Sequence, residues 1–270
     1  MVGRLLYERR TRMVGSGRGT VLITGVGRRE SIGAGLAVGL AEDGWDLALS
    51  YWAPYDDRVW VDHGPDDPEA IAEDCRALGR TVDLLPGDLS DPAVPAELVA
   101  AAAGRGDLCG LVMSHCESVN SSILTTSVES WDRHFAVNAR ATWLLIKEFA
   151  TRLPVGDFGG EPQGKIIALT SDHTVGNTPY GASKGALDRL VIAATAELAD
   201  RGVRANVINP GPIDTGWMND EIRAAATAGT PAGRTGTPRD TANLVRFLMS
   251  DQGSWINGQL LYSNGGAGIG

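Results

Sequence analysis

The chain has 270 residues, 43% hydrophobic and 21% charged, enough for one large domain or two small ones with a sizeable core. Its formal charge of −9 argues against a nucleic-acid partner, which needs a basic face, and no apolar run is long enough to span a membrane. Cys75, Cys109 and Cys116 share no C-x-x-C spacing and the four histidines no H-E-x-x-H pattern, so neither a disulfide framework nor a metal site is expected, and a reducing cytoplasm fits.

Residues 1–18 carry five arginines (Arg4, Arg9, Arg10, Arg12, Arg18) against one acid, Glu8. They read as a disordered basic extension, and residues 19–270 as one folded domain. The apolar run Thr20–Thr24 leads into glycines, then a helix over Ile32–Glu42 and a strand over Asp46–Tyr51. Residues 53–68 hold five aspartates and three prolines, and read as a solvated loop with no core element; Trp60 within it is a candidate flap or subunit contact. A helix is expected over Pro68–Leu78, a strand over Thr81–Leu85, an alanine-rich helix over Pro92–Ala103 and a buried strand over Leu108–Met113. Next come a long helix, Ser127–Leu153, a strand, Lys165–Leu169, and a helix, Tyr180–Asp200. The strand Ala205–Ile208, the helix Asp240–Met249 and the strand Gln259–Tyr262 complete the order. Strands alternating with helices of this length imply right-handed crossovers and a parallel sheet. The strands are near-continuous apolar runs, as when both faces are covered. The fold class is α/β, a doubly wound Rossmann-like domain.

Two motifs carry chemistry. Tyr180-Gly-Ala-Ser-Lys184 places a phenol and an amine at i and i+4, on one face of a helix. A lysine beside a tyrosine favours the phenolate and would suit the tyrosine to acid–base work on a carbonyl or alcohol. The loop Ile23-Thr-Gly25-Val-Gly27-Arg-Arg-Glu-Ser31-Ile-Gly33-Ala-Gly35 follows a strand and opens a helix. Glycines there allow a tight turn and close approach of a pyrophosphate to the helix N-terminus.

With Gly87-Asp88-Leu89, Asn138 and Asn209-Pro-Gly-Pro-Ile-Asp-Thr215 added, the chain resembles the short-chain dehydrogenase/reductase family from about residue 19 to 266, as a 3-oxoacyl-reductase-like member. The resemblance implies a catalytic set of Asn138, Ser171, Tyr180 and Lys184. Tyr180 would be the general acid/base and Ser171 would bond the substrate oxygen. Lys184 would hold the nicotinamide ribose and depress the Tyr180 pKa. Asn138 would support a water relaying protons. Gly25, Arg28, Arg29, Ser31, Ile32, Tyr51, Asp88, Leu89, Ser114, Pro210, Gly211, Ile213 and Thr215, with Tyr180 and Lys184, would bind the dinucleotide. No carboxylate ends the second strand at Tyr51, and Arg28 and Arg29 stand ready for a 2′-phosphate, so NADP(H) is favoured over NAD(H). The implied activity is hydride transfer between nicotinamide and a carbonyl or alcohol, with a non-catalytic dinucleotide-binding protein as the alternative. The enoyl-reducing branch would need a tyrosine at Asn177. The long helices resemble those through which the family forms homodimers and homotetramers, and residues 216–234 read as a substrate lid.

Two departures stand out. Met113-Ser114-His115-Cys116-Glu117 replaces the family's Asn-Asn-Ala-Gly stretch. Ser114 is expected to supply the lost hydrogen bond, and His115 and Cys116 to pack or line the pocket. Ser171 also precedes Tyr180 by only nine residues, where about thirteen is usual. Reach is no obstacle, since nine steps extend up to ~30 Å; the open matter is whether both hydroxyls meet one oxygen.

Overall fold

The computed structural model describes residues 18–59 and 64–268, so residues 1–17 and Trp60 lie outside it. The strands are β1 (Thr20–Thr24), β2 (Asp46–Tyr51), β3 (Val82–Pro86), β4 (Leu108–Met113), β5 (Gly164–Leu169), β6 (Val203–Asn209) and β7 (Leu260–Tyr262). The helices are α1 (Ile32–Glu42), α2 (Ala53–Val59), α3 (Asp67–Ala77), α4 (Val94–Ala103), α5 (Val128–His134), α6 (Ala141–Arg152), α7 (Thr178–Glu197), α8 (Asp220–Ala228) and α9 (Pro238–Met249). All seven strands pair in parallel, in the order β3-β2-β1-β4-β5-β6-β7. This is the expected doubly wound α/β architecture.

Strand alternation divides the core between the two faces. Val21, Ile23, Leu47 and Leu49 pack with Leu36, Leu40, Val245 and Leu248 of α1 and α9. Leu22, Ala48, Leu111 and Ile166 point the other way, to Leu98, Leu145, Phe149, Leu187 and Val191 of α4, α6 and α7. Because both faces are covered, no strand needs a polar side, and the apolar runs marked them well. Strand order reverses between β1 and β4. Ligands of such sheets bind in the crevice beyond the strand ends at that point.

Two local expectations give way. The Asp-rich segment is not all loop: Ala53–Val59 forms α2, with Asp56 only 6% exposed. Arg28 Nε bonds Asp56 Oδ1 at 2.8 Å, which compensates the buried charge. The long helix is also not continuous. A π-helical turn, Phe135–Arg140, separates α5 from α6 and contains Asn138. Such turns widen the helix locally and re-aim side chains. Here the turn lets Asn138 reach across to the β4 loop.

Candidate active site

The cofactor end begins at α1. Ser31 caps the helix, its hydroxyl accepting from Ala34 N at 3.1 Å, and a helix N-terminus of this kind favours an anion. Two glycines make the approach tight. Gly25 has φ +80° and a Cβ there would lie 2.7 Å from His115 N, while one on Gly33 would lie 2.3 Å from Gly25 O. No side chain fits at either position. This cradle suits a pyrophosphate.

Of the expected cofactor residues, Gly25, Arg28, Ser31, Ile32, Tyr51, Asp88, Leu89, Ser114 and Thr215 line one cavity. Arg29 does not. It is exposed and pairs with Asp74 at 2.8 Å, while its amide donates to Asp67 at 3.1 Å. Pro210, Gly211 and Ile213 also lie outside the cavity wall. Gly211 turns with φ +68° against Asn264, and Ile213 is buried beside Gly236. Arg28 is not a free fork for a phosphate either. Besides Asp56 it donates to Thr215 O at 2.7 Å, joining the glycine loop to the β6 loop.

At the other end, the Ser171 hydroxyl comes near enough to Tyr180 to pull its phenol down, despite the short interval between them. The loop turns back on itself within that span, with His173 N donating to Ser171 Oγ at 3.1 Å and Asn177 N to Thr174 O at 3.1 Å. Pro179 lies in the first turn of α7, and Tyr180 follows it. Lys184 is buried one turn on. Its Nζ donates to Leu169 O at 2.9 Å, approaches His115 O at 3.5 Å and stands 5.8 Å from the Tyr180 ring centre. Tyr180 and Lys184 do not line the cavity, whereas His115, which Lys184 approaches, and Cys116 do. Burial raises the Tyr180 phenol above the usual range, and the nearby Ser171 hydroxyl opposes this. Burial pulls the Lys184 ammonium down.

Asn138 is fully buried and its amide is engaged on three sides. Oδ1 accepts from Glu117 N at 2.7 Å, and Nδ2 donates to Glu117 O and Ser183 Oγ, both at 2.9 Å. Its side chain therefore clamps the loop after β4 to α7.

His115, rather than Ser114, repairs the altered stretch. Its Nε2 donates to Val137 O at 3.1 Å, which leaves Nδ1 to accept from the Thr24 hydroxyl at 2.6 Å. It ties β1 to the π-turn. Burial, then the charge of Lys184, lowers its pKa to about 3, so the ring is neutral. Cys116 lines the cavity, and burial pushes its thiol up.

Sequence reasoning missed a group of charges along the groove. Glu117 is 2% exposed and receives Arg58 at 2.6 Å and Arg133 at 3.2 Å, and Arg133 also reaches Asp88 at 3.4 Å. Tyr55 and Asp56 of α2 line the same cavity. One signal was present: Trp52, Tyr55 and Val59 recur at i, i+3 and i+7. Among the described residues no cluster of metal-ligating side chains occurs, and no helix is long and apolar enough to cross a membrane.

A family model described as Enoyl-(Acyl carrier protein) reductase matches residues 25–268. The chain belongs to the short-chain dehydrogenase/reductase family. It is 32% identical over 252 residues to the uncharacterized oxidoreductase YjdA of Bacillus subtilis (strain 168), covering 91% of this chain and 95% of that one. It is 32% identical over 257 residues to an NADPH-dependent aldehyde reductase-like protein, chloroplastic, of Arabidopsis thaliana, covering 91% and 92%. Among solved structures, a blue fluorescent protein from a metagenomic library in complex with NADPH superposes with a TM-score of 0.81 at 27% identity, covering 93% of this chain and 98% of that one. As a short-chain dehydrogenase/reductase the chain is an NAD(P)-dependent oxidoreductase. The glycine cradle and the capped N-terminus of α1 fit that cofactor.

Proposed function

We propose that this protein is an NAD(P)H-dependent carbonyl reductase, running in reverse as an alcohol dehydrogenase, with Tyr180 as general acid/base. One observation carries the reading: the Ser171 hydroxyl stands near Tyr180 despite the short loop, with Lys184 Nζ 5.8 Å from the Tyr180 ring centre. Two hydroxyls so placed can both address one carbonyl oxygen. The bound dinucleotide would supply the hydride. Ser171 donates to the substrate oxygen and polarises the carbonyl. Tyr180, held protonated by burial, donates the proton that the oxygen needs once hydride has arrived. Lys184 fixes the Leu169 and His115 carbonyls around the Tyr180 ring and orients the nicotinamide ribose. Asn138 sets the loop after β4 and supports the proton path towards Lys184.

Asn177 weighs against enoyl reduction, the activity in the matching family model's name. It stands where a tyrosine would be required, is 1% exposed, and donates to Ser118 Oγ at 2.9 Å. The names of the Arabidopsis relative and of the metagenomic complex support NADP(H) as the favoured dinucleotide, with NAD(H) as the alternative. Residues 216–234, which contain α8, are the substrate lid in this reading. Three free cysteines support a reducing cytoplasm as the location. Exposed apolar side chains on α5, α6 and α7 support a homodimer or homotetramer.

The second reading is a non-catalytic dinucleotide-binding protein, which the altered stretch after β4 would suit. Its weakness is His115, whose two bonds restore the local support. NADPH oxidation with a panel of aldehydes and ketones decides between them. Turnover is expected, falling by about 10²–10⁴-fold in Tyr180→Phe. NADPH binding without turnover of any member would favour the second reading. Unchanged turnover in Tyr180→Phe would refute the mechanism.

A further inference from the structure

Helix α2 brings a carboxylate to the place where a dinucleotide is told from its 2′-phosphorylated form. In a doubly wound sheet that place lies past the end of β2, beside the glycine loop. Asp56 Oδ2 stands 3.2 Å from where a Cβ on Gly27 would be, and Tyr51 Cβ is 3.8 Å from the same point. The Asp56 side chain is 8% exposed and that of Arg28 15%. Arg28 Nε meets Asp56 Oδ1 at 2.8 Å, while Arg28 Nη1 is anchored on Thr215 O at 2.7 Å. The guanidinium therefore already holds an anion in a buried pocket, by the type of bond a phosphate would make.

The rest of α2 lies over the groove. The Tyr55 hydroxyl donates to Ser118 O in a long bond of 3.4 Å, and Arg58 donates to Glu117 at 2.6 Å. With α2 seated this way the cavity measures about 180 Å³. Sites for small molecules run to ~300–1,000 Å³. A 2′-phosphate seated on Arg28 would take the place of the Asp56 carboxylate, and moving that carboxylate off Arg28 moves α2, which carries it.

The geometry points to an anion exchange: Asp56 is an internal stand-in for the 2′-phosphate of NADPH, and that phosphate replaces it on Arg28. This rests on the dinucleotide reading proposed above and names the residue pair that sets its selectivity. NADH carries no charge to replace the carboxylate, so Asp56 returns to Arg28 once NADH is in place. NADPH keeps the pair apart, and Asp56 competes with it for Arg28. The carboxylate is thus a built-in brake on NADPH affinity, and Arg28 is the source of any NADPH preference.

Calorimetric titration of the full chain with NADPH, NADH and 2′,5′-ADP tests this, with wild type beside Asp56→Asn and Arg28→Gln. Asp56→Asn is expected to tighten NADPH and 2′,5′-ADP about tenfold, with NADH moving less than about threefold. Arg28→Gln is expected to abolish the difference between NADPH and NADH. Hydrogen exchange on the wild type needs no variant: amides of 53–59 are expected to exchange faster with NADPH bound than with NADH bound. NADPH affinity unchanged or weakened in Asp56→Asn, or equal exchange with the two dinucleotides, overturns the anion exchange alone. A wild type that binds neither dinucleotide overturns the dinucleotide reading and the exchange with it.

Discussion

In the proposed mechanism Tyr180 and Ser171 set the pH behaviour of the reaction. Burial holds the Tyr180 phenol above its usual range, so it stays a proton donor through neutral and mildly alkaline pH. Carbonyl reduction is therefore expected to keep its rate up to at least pH 9, whereas alcohol oxidation, which needs the phenolate, rises with pH. Ser171→Ala removes the hydroxyl that lowers the phenol, so the oxidation profile should move to higher pH; initial rates in both directions across pH check this. His115 ties stability to pH in the opposite range. Its folded pKa of about 3 lies below the ordinary 6.5. A depressed base binds fewer protons folded than unfolded, so its contribution is complete above pH 6.5 and is lost as pH falls from there towards 3. The shift corresponds to on the order of 4–5 kcal/mol at full loss. Urea midpoints measured from pH 7 to 4 should fall steeply in wild type and less steeply in His115→Asn. The types and positions of Ser171, Tyr180 and Lys184 were legible in the sequence because they sit in short motifs. The role of His115 was not, because its partners Thr24 and Val137 lie 91 and 22 positions away.

Elements divide in the same way. Strands buried on both faces announce themselves as unbroken apolar runs, and β1, β2 and β4 fall where the sequence places them. Helix α2 does not, because its aspartates read as solvent-facing until Arg28, from a different loop, is known to neutralise Asp56. The π-turn was equally hidden. Its composition is that of an ordinary helix, and the bonds of Asn138 to Glu117 that accompany it span distant parts of the chain. Asn138→Ala would strip partners from Glu117 N, Glu117 O and Ser183 Oγ. Each buried unsatisfied group costs ~1–3 kcal/mol. A loss of about 3 kcal/mol or more in denaturant unfolding is expected, together with weaker NADPH binding as the Glu117 loop loosens. Full stability in Asn138→Ala would show that the clamp is not what holds the turn.

At the scale of the whole molecule, exposed apolar side chains recur on three helices. Val128, Trp131, Trp143 and Ile192 are 72%, 39%, 50% and 36% exposed, on α5, α6 and α7. A net charge of −9 opposes non-specific association but does not cover these side chains. Light scattering after gel filtration should give a dimer or tetramer, and Val128→Asp with Trp131→Asp should lower the mass. A monomeric wild type would remove the assembly from the proposal. Hydride transfer itself is tested most directly with NADPH deuterated at C4 and a reducible aldehyde, analysed by mass spectrometry of the product. The mechanism predicts deuterium at the carbinol carbon with wild type and almost none with Tyr180→Phe. Dinucleotide binding with no deuterium in any product, or equal labelling by Tyr180→Phe, would contradict it.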